Sequence, residues 1–235
     1  MAARDRSADG SASNGEAKRR YRKGDTDEGT RERILKAATR VFARHSFRAA
    51  STRMIAAEAD VDHPLIHYYF GSKEKLFEAV TERIYSEAME MMPAWLVDIS
   101  RRPPLEGLAR FVDNFLDYYF HHPEAQQIIF VNMAQIGQLE EIPGYRHILM
   151  HIEGVRSMLE EMVPLPGNKD LMEKFVYCFH VLVDSFLGAK TAHAQVLGVD
   201  PDGETFKHWI RESLLEVFTP LLEKFMSESP QRGTG

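Results

Sequence analysis

The stretch from Ser51 to Phe70, STRMIAAEADVDHPLIHYYF, constrains this chain more than any other. Ile55 and Ala59 stand four residues apart, as do Ile66 and Phe70, and each step is that of one helix face. Asp60-Val61-Asp62 breaks the period between them. Two short amphipathic helices joined by a tight turn satisfy this spacing; one long helix does not. The hydroxyl of Ser51 can accept an orphan amide and cap the first helix, and Asp62 can cap the second. Pro64 then falls in the first turn of the second helix, where a missing N–H costs little. Such a pair is a helix-turn-helix, and its second helix is of a size to enter a DNA major groove.

These residues carry a resemblance. Ile55-Ala56, Ala59, Val61 and the run from Leu65 to Phe77, LIHYYFGSKEKLF, resemble the DNA-binding motif of the tetracycline-repressor (TetR) family of bacterial regulators. The upstream segment Thr30 to Ala38, TRERILKAA, is similar to the family's opening helix. The resemblance covers residues 30–77. Asp60 stands where the family usually has Gly, Met54 where an acid often completes a capping box, and Pro64 where a small residue is usual. Asp enters left-handed backbone more easily than most residues, so the turn is expected to tolerate Asp60.

In the second helix the groove-facing set is expected to be His63, Pro64, Leu65, His67 and Tyr68. Imidazole and phenol groups bond base edges, and Leu65 can meet a thymine methyl. The resemblance implies phosphate contacts at Ser51, Thr52, Tyr69 and Lys73, and Arg53 is a further candidate on chemical grounds. Ile55, Ile66 and Phe70 are expected in the core.

The net charge of −6 conceals an asymmetry. Residues 1–80 carry 16 Lys and Arg against 12 Asp and Glu, whereas residues 81–235 carry 13 against 23. That suits a protein meeting phosphate at one end only. A single cysteine, Cys178, excludes an intrachain disulfide and suits a reducing cytoplasm. No apolar run reaches the roughly 18 residues of a membrane span. The polar N-terminus has no signal-peptide core, so a cytoplasmic location is expected.

In chain order, residues 1–29 read as a disordered arm carrying the basic run Lys18-Arg19-Arg20-Tyr21-Arg22-Lys23. A DNA-binding domain over 30–77 follows, then an effector-binding and dimerisation domain over 78–226 and a frayed tail over 227–235. The first helix runs from Thr30 to about Ser46, with Ile34, Leu35, Ala38, Val41 and Phe42 as its stripe. Ser72 caps a helix that Pro93 ends or kinks. Further helices are expected over 105–121, 124–139 and 143–163, the second buried all round at Ile128-Ile129-Phe130-Val131. A long helix over 169–197 exits at Gly198, and Asp200-Pro201 opens a last one that bends at Pro220. No strand alternation appears. The fold class is all-α: an N-terminal three-helix DNA-binding domain followed by a helical effector and dimer domain.

In the body, Tyr118, Tyr119, His121, Asn132, Gln135, His147, His151, Tyr177, His180 and Asp184 lie among aromatic residues and methionines. They are candidates for an apolar effector cavity with a few polar anchors. The expected occupant is a small hydrophobic or amphipathic acyl or aromatic compound between residues 105 and 187. His147 and His151, four apart, have a zinc-compatible spacing without a third ligand, so no metal and no cofactor is expected. No phosphate loop, Ser/His/Asp signature or H-E-x-x-H is present, and no enzymatic reaction is expected. The dimer face is expected on the last two helices, with Gly188 and Ala192 allowing close approach and Trp209, Val217, Phe218 and Leu221 supplying bulk.

Two functions compete at this point. One is a TetR-like regulator, a repressor, that binds a palindromic double-stranded operator as a homodimer and is released by a small molecule. The other is a helical binding or catalytic protein with a vestigial helix-turn-helix. Deleting residues 1–23 should leave fold and dimer intact but weaken DNA binding and flatten its salt dependence, since the five cations of the 18–23 run go with the arm. A salt titration of affinity checks this, and an unchanged slope makes the arm a bystander.

Overall fold

The computed structural model describes residues 27–133, 143–162 and 169–227. These residues form ten α-helices: α1 (Asp27–Arg44), α2 (Thr52–Ala59), α3 (His63–Phe70), α4 (Lys73–Ser100), α5 (Pro104–Tyr119), α6 (Glu124–Met133), α7 (Tyr145–Met162), α8 (Lys169–Gly188), α9 (Lys190–Leu197) and α10 (Glu204–Ser227). No strand occurs among the described residues. The basic run at 18–23, Gln135 and most of the tail lie outside them.

Two apolar cores share the chain. The head core joins Ile34, Ala38 and Phe42 of α1, Ile55 of α2, Ile66 and Phe70 of α3, and Leu76 and Phe77 of α4. Ile128 of α6 belongs to it as well, so the body reaches into the head. The body core runs from Met92 and Leu96 of α4 through the aromatic face of α5 to α8 and α10. Trp95 stands edge-on to Phe111, Phe115, Tyr118 and Tyr119, a geometry that adds attraction beyond burial.

Several helix limits differ from the sequence expectation. Helix α1 begins at Asp27 instead of Thr30. Pro93 does not end α4, which continues to Ser100 because Met92, Leu96 and Ile99 bury its far end in the body core. The segment expected as one helix over 169–197 is two, α8 and α9. Gly188 lies so close to α6 that a Cβ there would sit 2.5 Å from that of Phe130. Just beyond, the half-turn at Ala189 turns the buried Lys190 inward. Its ammonium donates to the Phe120 carbonyl at 3.2 Å and to the Asp202 carboxylate at 2.6 Å, over the Phe120 ring. The middle of α6 is not buried all round: Ile128 is buried but Phe130 is exposed. Glu204 begins α10, after a turn in which Asp200 accepts the Asp202 N–H, and Pro220 lies within the helix.

These contacts redistribute the expected dimer face. Gly188 serves the α6–α8 contact inside the chain. Phe218 is fully buried against Phe175 and Phe179, and Leu221 packs against the same core. Trp209, Val217 and Ala192 remain exposed, joined on α8 by Tyr177 and Val181. The period of α10 presents two apolar faces, and only one can point into the chain. Phe218→Ala should therefore cost about 3–5 kcal/mol of folding stability, whereas Val217→Ala should leave the monomer fold near parental. Urea unfolding followed by circular dichroism separates them, and equal losses would contradict this division.

Candidate nucleic-acid interface

The turn between α2 and α3 is built as its residues dictate. Ser51 is extended and its hydroxyl accepts the Met54 N–H at 3.2 Å, capping α2. Asp60 ends α2 in the left-handed region at φ 52°, with its N–H and that of Val61 returning to the Ala57 and Ala56 carbonyls. Asp62 is extended at the start of α3 but makes no side-chain cap bond. Pro64 instead pre-sets the first turn. Ile66 and Phe70 seat α3 on the head core, which leaves the opposite face outward.

That outward face carries Pro64, His67 and Tyr68, all exposed, with His63, Leu65 and Tyr69 half-buried beside them. Tyr68 is 73% exposed, with its ring edge-on to Tyr69. His67 bonds the Gly71 carbonyl through Nδ1 at 3.0 Å. A carbonyl only accepts, so Nδ1 carries the proton and Nε2 of the neutral ring is an outward acceptor. Such an atom suits an adenine or cytosine amino group in a major groove. His63 is held by Thr52 at 2.8 Å and by edge contact with His67.

The expected phosphate contacts divide. Ser51 and Thr52 line an open concavity of about 520 Å³ with Arg48, His67 and Lys73, at the positive end of α2. Arg53 is exposed on the first turn of the same helix. Lys73 is engaged internally: Nζ donates to the carbonyls of Phe47 and Ala50 at 2.8 and 3.0 Å and lies over the Phe47 ring. It fixes the α1–α2 loop and keeps one N–H for an outside acceptor. Tyr69 donates its phenol to Asp27 at the start of α1.

The body residues separate more widely. Tyr118 and Tyr119 line a cavity of about 130 Å³ beside α1, and Tyr119 and His147 line a smaller adjoining one of about 30 Å³. Asn132 lines neither. Its carboxamide accepts the Phe47 N–H at 2.8 Å and donates to the Ile128 carbonyl, joining head to body. His180 is half-buried and bonded to the Val176 carbonyl, His121 is exposed against Phe120, and Tyr177 is on the outer face of α8. The side chain of His151 lies outside the described residues. Sequence reasoning missed a third cavity of about 270 Å³ at the far end of the body, lined mainly by Leu108, Phe111, Leu159, Phe175 and Leu222. It also missed Glu87, Glu124 and Gln126. Only their place beside tyrosines distinguishes them from surface residues, and that place is set by packing.

Asp184 is buried next to the α8–α6 contact, and burial pushes its carboxyl up to about 7 from the ordinary 3.8. The folded protein thus holds a proton that the unfolded chain releases. Stability from this group is present below pH 3.8 and is lost as pH rises to and past about 7. His180 and His147 are shifted down by burial, so they lose stability in the opposite direction, as pH falls. Comparing Asp184→Asn with the parent cancels both histidines. The variant's advantage should widen by about 2–3 kcal/mol between about pH 5 and pH 8 in denaturant unfolding, and a constant difference would exclude the shift.

Residues 34–80 match the family described as bacterial regulatory proteins, tetR family. The chain is 38% identical over 100 residues to the HTH-type transcriptional repressor NicS of Pseudomonas putida, a match covering 43% of this chain and 46% of that protein. It is 31% identical over 147 residues to the HTH-type transcriptional repressor SCO4008 of Streptomyces coelicolor, covering 59% of this chain and 72% of that protein. Its fold is similar to that of a TetR transcriptional regulator from Legionella pneumophila, with a TM-score of 0.57, 19% identity, and 83% and 98% of the two chains covered. It is also similar to the multidrug binding protein EbrR complexed with imidazole, with a TM-score of 0.53, 21% identity, and 89% and 99% coverage. With the capped helix pair, the outward α3 face and these likenesses together, the chain belongs to the TetR family of bacterial regulatory proteins.

Proposed function

We propose that this protein is a sequence-specific DNA-binding transcriptional regulator, a repressor released from its operator by a small molecule bound in the helical body. The observation that carries the reading is the outward face of α3, where Pro64, His67 and Tyr68 project from a helix whose other face is locked into the head core. A helix held this way presents a rigid set of groups to a major groove. Both NicS and SCO4008 are named transcriptional repressors, which supports the direction of control.

Assembly follows from the apolar surface left on the body. Tyr177 and Val181 of α8 and Trp209 and Val217 of α10 are exposed together, and a second copy of the chain is the occupant we assign to them. Two-fold pairing would place two α3 helices about one DNA turn apart, roughly 34–36 Å, on a palindromic operator. The effector acts by binding one separation of the heads more tightly than the other, and the coupling is the difference between those affinities.

Fluorescence anisotropy with the chain's own upstream DNA, in moderate salt with competitor, tests the reading. Tyr68→Ala should weaken operator binding by about 1–3 kcal/mol and relax base preference. Arg53→Ala should weaken all sequences about equally and lower the salt slope by about one. A parent protein with no preference over competitor DNA would overturn the assignment.

A further inference from the structure

The cavity between α1, α4, α5 and the start of α6 differs from the smaller one adjoining it and from the apolar one at the far end of the body, and unlike the acid-lined cleft between α5 and α10 it holds no Lys or Arg. Its walls include Glu87 and Met91 of α4, Tyr118 and Tyr119 of α5, Glu124 of α6 and Thr39 of α1. No Lys or Arg lines it, and its one basic side chain is His122, whose ring lies against Tyr118. Arg83, whose charge acts on Tyr118, is engaged with Glu87 at 2.7 Å and Glu32 of α1 at 2.6 Å. Lys36 also lies 3.6 Å from Glu32. Glu32 and Glu87 thus share Arg83 and Lys36, and among the described residues Glu124 has no ion pair. The carboxylates of Glu87 and Glu124 are close enough to Tyr118 to help burial hold its phenol protonated.

A second observation is independent of the acids. The adjoining smaller cavity shares Ile84, Tyr119 and Ala125 with this one, and Gln126 lines it. Gln126 is 5% exposed, and its Oε1 accepts no hydrogen bond among the described residues. A buried acceptor left empty costs stability, and a donor from outside the chain would relieve it.

We infer that this cavity takes a small organic ammonium ion with an apolar or aromatic body: a protonated amine whose charge is met by Glu87 and Glu124, whose carbon skeleton lies between Tyr118, Tyr119 and Met91, and whose N–H groups can reach an empty acceptor. Tyrosine faces attract such cations beyond simple burial. The larger apolar cavity at the far end of the body contacts no head residue, whereas here Thr39 belongs to the head itself. An ammonium ion on Glu87 also competes with Arg83, the residue that pairs α4 with Glu32 of α1. The inference names the effector class for the regulator proposed above, but its test needs no DNA.

The full-length protein is titrated by calorimetry, with melting temperature as a second readout, against four probes. These are 2-phenylethylammonium, neutral 2-phenylethanol, anionic 3-phenylpropionate and trimethyl(2-phenylethyl)ammonium. The primary ammonium should bind, raise the melting temperature, and outbind the alcohol by about tenfold or more, with no binding of the carboxylate. Glu87→Gln and Glu124→Gln should each lower its affinity by about tenfold. Glu124→Gln leaves the Arg83 pairs in place, so its loss cannot come from a loosened head. Gln126→Leu should weaken the primary ammonium and spare the quaternary one, which has no N–H. Binding of the alcohol as tight as that of the amine, parental affinity in both Glu variants, or no binding by any probe at millimolar concentration would each overturn the inference. A protein that prefers its upstream DNA but ignores all four probes would lose this effector class and keep its role as a regulator.

Discussion

The side chain of Asn132 does more to define this molecule than its place in α6 suggests. Its carboxamide accepts the Phe47 N–H from the loop after α1 and returns a bond to the Ile128 carbonyl, while Ile128 itself is buried in the head core. From the other side of the same loop, Lys73 of α4 bonds the Phe47 and Ala50 carbonyls. The loop therefore has its backbone polar groups satisfied by two different helices of the chain. Buried backbone groups must find partners, so a head displaced from α6 would have to replace these bonds or leave them empty. The orientation of α2 and α3, and hence of the outward face of α3, depends on this junction.

The same region concentrates charge coupling. Arg83 joins α4 to α1 through Glu32 and spans one turn of its own helix to Glu87. The pairs are partly exposed and contribute little stability individually. Their importance is positional: they sit on the wall between the head and the cavity that reaches α1. A regulator needs two states separated by a modest free energy, and a junction of exchangeable ion pairs is easier to shift than one of packed rings. The aromatic cluster around Trp95 makes the body beneath it correspondingly stiff.

Buried ionisable groups mark where the body departs from a plain hydrophobic core. Asp184 and Lys190, with the half-buried His180, lie on or just after α8, which also makes the close α6 contact at Gly188. Lys190 is compensated by Asp202 and a carbonyl, whereas the Asp184 carboxyl is pushed up to about 7 by burial alone. This helix therefore trades stability for a polar interior, as proteins commonly do beside binding sites.

Local chemistry determined a great deal from the sequence alone. The period of four at Ile55–Ala59 and Ile66–Phe70, the Ser51 cap and the tolerance of Asp60 for left-handed backbone are all near-neighbour effects, and each is realised in the structure. So is the all-helical class, and of the set expected to face outward on α3, Pro64, His67 and Tyr68 are exposed while His63 and Leu65 are half-buried. The tertiary structure decided matters in which a residue has two permitted fates. Phe218 and Val217 are adjacent and both apolar, but only one faces Phe175 and Phe179. Gly188 and Asn132 read as interface and cavity residues until α6 is placed against α8 and the head. Pro93 reads as a helix end or kink, and it is the body core that buries the turn beyond it and carries α4 on. Glu87, Glu124 and Gln126 are ordinary helix residues until α4, α5 and α6 bring them around two adjoining cavities. Periodicity reports which side chains share a helix face, because that depends on residues within one or two turns. What covers that face depends on elements far away in the chain, and no local pattern encodes which of them arrives.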